Sequence, residues 1–313
     1  MPGAPVWPRG VRVFERGWLS SNNILLTDAD SATLVDSGYV THSAQTVALI
    51  EQALGSRPLD RLVNTHLHSD HCGGNAALQQ RYLALQTLIP PGMAADVQAW
   101  RDDALSYEPT GQICPPFQIT GLLQPGATHR WADTEWQVHA APGHDPHSVI
   151  LFAPEHRWLI SADALWQNGF GVVFPELEDI PAFDEVADSL DLIERLNPAV
   201  VIPGHGAPFT GVAEALVFAR QKLDAFARTP EKHGRYGAKV LLKFKLLEYG
   251  HIAKADFKTW ALAMPYMVKL HARYGQGLSP SLWLDRMLAE LERSGALHDD
   301  GMVLNDVSNR TEE

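Results

Sequence analysis

Cysteine is nearly absent from this chain: Cys72 and Cys114 are its only two in 313 residues. Two thiols cannot build a disulfide framework, and such scarcity fits a reducing compartment. No apolar run is long enough to span a bilayer. The first residues lack the charged start, apolar middle and small-residue cleavage site of a secretory signal. The expectation is therefore a cytoplasmic protein with no membrane contact. Internal repeats and low-complexity stretches are also missing. Basic residues are outnumbered, 25 Lys and Arg against 37 Asp and Glu, for a formal net charge of −12. That balance argues against broad nucleic-acid affinity for the whole molecule. The deficit is local, however. From Thr210 onward there are 15 basic against 13 acidic residues, which leaves 10 against 24 in the first 209. Lys232, Arg235, Lys239, Lys243, Lys245, Lys254 and Lys258 make the stretch from 228 to 258 the most basic. It reads as a solvated helix face, with RNA or an acidic thioester carrier as the alternative occupant.

What the chain has in quantity is histidine and aspartate placed at the ends of apolar runs. Thr65-His66-Leu67-His68-Ser69-Asp70-His71-Cys72-Gly73-Gly74 sets three imidazoles and a carboxylate within six positions. Such a cluster is a poor recipe for a core, because each polar group would need its own buried partner. It suits divalent metal. On a loop leaving a strand, His66 and His68 can converge on one point while Asp70 and His71 aim at a neighbouring one. Imidazole and carboxylate suit zinc, with iron or manganese as alternatives. His144 in Ala141-Pro142-Gly143-His144, Asp163 in Leu159-Ile160-Ser161-Ala162-Asp163 and His205 in Val201-Ile202-Pro203-Gly204-His205 each follow a short apolar run. Each is a loop residue at a strand end.

Taken in this order, these signals resemble the metallo-β-lactamase superfamily, and within it the glyoxalase II-like branch with its His-x-His-x-Asp-His motif. The resemblance covers residues 10 to 210 and includes the turn Leu34-Val35-Asp36-Ser37-Gly38. It implies an α/β protein with a four-layer αβ/βα sandwich. It also implies two divalent metal ions, most readily Zn2+, with Fe or Mn as alternatives. His66, His68 and His144 would hold the first, and Asp70, His71 and His205 the second, with Asp163 bridging. Asp70 and Asp163 are the residues with catalytic roles: a bridging hydroxide would attack, and Asp70 would orient it. His68 stands where di-iron members carry Glu. Ala162 stands where glyoxalase II has Gly, and no basic glutathione site is evident. Cys72 reads as a packed thiol, and His42 and His147 as structural or supporting groups.

Strands are expected at Val11–Phe14, Asn23–Thr27, Ala32–Asp36 and Arg61–Asn64, with a helix from His42 to Leu54. Asn75 is expected to cap a helix over Ala76–Arg81. Within an expected insertion or lid at 86–130, Met93–Leu105 reads as one helix carrying Trp100, and 106–126 as a loop. That loop's aromatics, and the segment Leu165–Phe170, are candidate apolar walls. The catalytic domain is expected at 1–211. Residues 212–313 read as a smaller, mainly helical, winged-helix-like domain of three helices after the one that begins at Gly211, with a terminal hairpin turning at Asp300-Gly301. The functional expectation is hydrolysis of a small-molecule thioester, ester or lactone, with homodimerisation as a further expectation. The alternatives are an endoribonuclease whose C-terminal module grips RNA, a mono-iron sulfur dioxygenase, and a non-catalytic protein that kept the fold.

Overall fold

The computed structural model describes residues 10–307, which form two compact units: residues 10–105 with 113–224, and residues 106–112 with 225–307. The first unit holds two sheets. One has six strands in sequence order: β1 (Val11–Phe14), β2 (Asn23–Thr27), β3 (Ala32–Val35), β4 (Arg61–Val63), β5 (Gln86–Ile89) and β6 (Gly121–Leu122). Its first three strands are antiparallel and the rest join in parallel. The other runs β11-β10-β9-β8-β7, from β7 (Thr128–Trp131), β8 (Thr134–Ala140), β9 (Val149–Ala153), β10 (Trp158–Ala162) and β11 (Val200–Pro203). Only β10 and β11 are parallel there.

Apolar residues alternate to opposite faces of each strand, and this builds the layers. Ile24, Leu26, Val35 and Val63 of the first sheet meet Trp136, Val138, Leu151, Ile160 and Ile202 of the second in one shared core. The opposite face of the first sheet, with Leu25, Leu34 and Leu62, packs on Ile50 and Leu54 of α1 (Ser43–Leu54) and Leu78 of α3 (Asn75–Arg81). Strands β9 and β10 are buried at every position, so both faces of the second sheet are covered. Helix α7 (Phe183–Leu196) buries Val186, Leu190 and Ile193 and is tied to the chain beyond β8 by Ser189 Oγ donating to Pro142 O. The αβ/βα arrangement expected from sequence is the one observed.

Shorter helices punctuate the frame: α2 (Ser69–Cys72), α4 (Ala94–Ala99), α5 (Asp102–Leu105) and α6 (Phe174–Leu177), followed by the longer α8 (Val212–Arg228). Several expectations need correcting. Asn75 caps nothing: Gly74 holds the cap position. Its buried amide instead accepts from Ser37 Oγ at 2.7 Å and donates to Asn64 Oδ1 at 2.7 Å. The single helix over Met93–Leu105 is two, broken at Trp100, whose backbone is left-handed (φ 47°). Residues 86–89 and 121–122, inside the expected insertion, are sheet strands.

The second unit contains α9 (Pro230–Tyr249), β12 (His251–Ala253), α10 (Lys254–Ala263), α11 (Pro265–Tyr274), α12 (Pro280–Arg293), β13 (Leu297–Asp299) and β14 (Val303–Asp306). It has four helices where the sequence reading gives three. Pro265 forces Met264 into extended backbone and starts α11, which buries Tyr266, Met267, Leu270 and Tyr274 at helical spacing. The hairpin β13–β14 forms as expected, and β12 adds a third strand to it. Ser279 caps α12 by accepting from Leu282 N. No helix among the described residues is long and apolar enough to cross a membrane.

Candidate metal centre

Five strand ends of the first unit deliver the polar residues to one place. The chain leaves β4 through Asn64 and Thr65 to His66 and His68, then turns into α2, which carries Asp70 and His71. His144 follows β8, Asp163 follows β10 directly, and His205 follows β11. From the end of β3, Asp36 enters from a left-handed backbone position (φ 56°). His66, His71, His144, Asp163 and His205 are buried, while His68 and Asp70 are partly so.

All seven residues singled out from sequence meet here, in three groups whose ligand atoms lie within 4.8 Å of one another. These are His66, His68 and His144; Asp70, His71 and His205; and His66, His71 and Asp163. Asp163 stands between the first two. Its Oδ2 lies 3.4 Å from His144 Nε2, and its Oδ1 lies 3.4 Å from His71 Nε2 and 3.9 Å from His205 Nε2. His205 Nε2 lies 3.1 Å from Asp70 Oδ2, and His66 Nε2 lies 3.0 Å from His68 Nδ1.

Neighbouring groups fix which nitrogen faces inward in two of the rings. His144 Nδ1 donates to Val172 O at 2.6 Å, so the lone pair is on Nε2. His71 Nδ1 donates to Asp36 Oδ2 at 2.8 Å, so its lone pair is also on Nε2. Both Nε2 atoms, together with His205 Nδ1, are buried and make no hydrogen bond. Unpartnered buried nitrogens are rare in native folds. A pair of divalent cations would answer two of them, one at the inward lone pair of His144 and one at that of His71, with the carboxylate of Asp163 facing both. The residues present therefore fit the metal pair that the sequence implies.

Electrostatics favours the binding forms of His66, His144 and Asp163, whereas His71 favours its protonated form and would give up a proton to a metal. Burial pushes His66 well below the usual imidazole range, and the neighbouring imidazoles of His71, His68 and His144 push it further. Burial and then His68 bring His144 to about 4. Burial opposes ionisation of Asp163, yet His71 and His205 hold its carboxyl well below the usual range. Burial likewise opposes charge on His71, but Asp163 and Asp36 on either side raise it well above its ordinary value.

The backbone makes room for this crowd. A Cβ at Gly204 would lie 2.2 Å from Asp163 Oδ1, and one at Gly171 would lie 2.3 Å from His144 Nδ1. Ala162 sits at φ 45° where the strand register against β11 shifts, which turns Asp163 inward. Sequence reasoning missed two features. In the sequence Asp36 stands out only as part of a turn, and Trp166 only as part of a wall. Trp166 Nε1 donates to Asp163 Oδ1 at 3.2 Å. Cys72 Sγ packs 3.7 Å from Cys114 Sγ and 3.3 Å from His68 O, outside the ligand groups. His42 bonds Ser20 Oγ, and His147 lies against Gly92. The expected aromatic loop places Phe117 edge-on to Trp100, so these two rings pack on each other.

Comparisons with known proteins point the same way. The family model described as the metallo-beta-lactamase superfamily matches residues 16–205. A hydroxyacylglutathione hydrolase of Synechococcus sp. (strain JA-3-3Ab) is 31% identical over 173 residues, covering 51% of this chain and 59% of that protein. An acyl-coenzyme A thioesterase of Gallus gallus is 27% identical over 160 residues, covering 48% and 57%. The chain thus spans under two thirds of the length of these curated relatives. The crystal structure of a beta-lactamase domain protein from Burkholderia ambifaria superposes with a TM-score of 0.58 at 21% identity, over 96% of this chain and 93% of that one.

Proposed function

The chain belongs to the metallo-β-lactamase superfamily, and from that premise we propose that it is a dinuclear, metal-dependent hydrolase acting on a thioester, with esters and lactones as related substrates. The observation that carries this reading is Asp163, whose two carboxylate oxygens face two separate groups of ligand atoms. His66, His68 and His144 would hold one ion, and Asp70, His71 and His205 the other. Zinc is the metal this nitrogen and carboxylate set suits best. Bound there, two divalent ions supply Lewis acidity, bringing a water's pKa towards about 7 and polarising a carbonyl oxygen. The chain's own residues do the rest. Asp163 sets the spacing of the two ligand groups. Asp70 keeps an oxygen available to orient the attacking water and accept its proton. Asp36 and Val172 O hold His71 and His144 in the ligand tautomer.

A thioester is favoured by the relatives named hydroxyacylglutathione hydrolase and acyl-coenzyme A thioesterase. Within the second unit, six of the seven basic residues marked from sequence pair with carboxylates: Arg235 and Lys239 with Glu290, Lys243 with Asp306, Lys245 with Glu248, Lys254 with Asp299, and Lys258 with Asp285. Neutralised cations attract phosphate weakly, which disfavours the ribonuclease reading. The order from 212 onward among the described residues, two helices, a strand, three helices and two strands, supports reading 212–313 as a winged-helix-like domain. The test is turnover of an acyl-coenzyme A ester, a glutathione thioester, an aryl ester, a lactone and a single-stranded RNA, before and after chelation. The expected result is thioester hydrolysis that chelation abolishes and zinc restores. RNA cleavage with steeply salt-dependent binding, and no thioester turnover, would overturn the proposal.

A further inference from the structure

The metal centre has an aromatic corner that its proposed chemistry does not require. Trp18, on the segment joining β1 to β2, leaves 52% of its surface exposed. A single exposed tryptophan is ordinary on a protein surface. This one lies nearly flat against a candidate ligand: its ring and the His205 imidazole are 5.5 Å apart between centroids and 8° between planes. Trp166, on the turn after Asp163, meets Trp18 edge-on at 5.4 Å and 73°, and meets His205 at 5.6 Å and 81°. The same indole donates to Asp163 Oδ1 at 3.2 Å. Its backbone N–H donates to Gly169 O at 2.6 Å, closing the turn. Lys222 Nζ stands 5.9 Å from its ring centroid. Trp166 is therefore held by its turn, by Asp163 and by three neighbouring side chains, and Trp18 rests on it.

We propose that Trp18 is a specificity-determining residue that receives the apolar acyl part of the substrate, and that Trp166 is a positioning residue holding both Asp163 and Trp18. The substrate class that follows is a thioester of an aromatic or medium-to-long-chain acid, in preference to a short one. For its substrate this inference rests on the hydrolase reading; its geometry does not. A carbonyl or carboxylate drawn to the ligand cluster brings the attached chain past His205 and onto the open surface of Trp18. Flat or extended apolar groups gain from burial and ring stacking there, whereas an acetyl group has too little surface to do so.

The test uses the full chain loaded with zinc, as wild type, Trp18→Ala and Trp166→Phe. Turnover is measured on acetyl-, octanoyl- and phenylacetyl-coenzyme A, and binding of the three free carboxylates is measured by calorimetry. Trp18→Ala is expected to lower kcat/KM for the octanoyl and phenylacetyl esters about tenfold, mainly through KM. The acetyl ester should lose much less than the longer esters, so the octanoyl-to-acetyl ratio of kcat/KM should drop severalfold. Trp166→Phe keeps the ring and loses the N–H, and should weaken metal binding in chelator competition by roughly 10–100-fold. An active Trp18→Ala variant with unaltered chain preference overturns the role given to Trp18. Unaltered metal affinity in Trp166→Phe overturns the role given to Trp166. If the wild type hydrolyses none of the esters, the hydrolase reading fails, and the carboxylate titrations decide the aromatic corner alone. Tighter octanoate and phenylacetate binding in wild type than in Trp18→Ala supports it, and equal binding refutes it.

Discussion

At Asp36 one carboxylate accepts three hydrogen bonds: from Thr65 N at 2.9 Å, from Thr65 Oγ1 at 2.8 Å and from His71 Nδ1 at 2.8 Å. It thereby pins the start of the ligand loop to one of its last members. Asp36→Asn removes the charge but tolerates the left-handed backbone there. Metal affinity in that variant should fall by roughly 10–100-fold in chelator competition, and unchanged affinity would remove the orienting role. Lys222 offers a pH test. Its Nζ donates to Phe170 O at 2.9 Å and lies over the Phe170 ring, and burial lowers its ammonium to about 8. Between that value and the 10.5 of an unfolded chain, the unfolded state binds more protons, so stability rises with pH. Denaturant melts of metal-stripped protein should show wild type gaining on the order of 1–2 kcal/mol more than Lys222→Met from pH 8 to pH 10. Parallel profiles would contradict the lowered value. The seven ligand candidates were legible because four crowd into one short motif and the other three each follow a short apolar run. Asp36 was not, since a lone Asp after a strand looks the same whether it orients a ligand or ends a turn.

At the scale of elements, the centre depends on where strands stop. β10 and β11 run in parallel, so Asp163 and His205 leave the same edge of the sheet, and Gly204 lets them approach. Gly204→Ala would drive a methyl into Asp163 Oδ1 and, at 2.9 Å, His71 Cε1. It should lower stability by about 1–3 kcal/mol in denaturant melts and reduce bound metal. A variant with wild-type stability and metal content would show that the loop relaxes freely. Strand existence was readable from short apolar runs with β-branched residues, as at Asn23–Thr27 and Ala32–Val35. Elements decided by tertiary contact were not. Gly121–Leu122 is a strand only because β5 lies beside it, and His251–Ala253 only because β14 does. The break at Trp100 is likewise invisible in a sequence with no Gly or Pro at that point.

At the scale of the molecule, charge and fold agree with a division of labour. The acidic first unit carries every candidate ligand, and the second is a helical unit whose marked cations are largely neutralised by its own carboxylates. Fold class was legible because ligand order and strand order are one signal in this family. Substrate identity was not, because it depends on surfaces such as Trp18 that lie apart from the motif. The proposed chemistry turns on Asp163 spanning two metal ions that together would hydrolyse a thioester. Its most direct test is metal stoichiometry of wild type beside Asp163→Ala, read with thioester turnover. The account predicts close to two divalent ions per wild-type chain, about one or fewer in the variant, and loss of turnover by at least about a thousandfold. Full occupancy with undiminished turnover in Asp163→Ala, or a wild type carrying about one iron and hydrolysing nothing, would contradict it.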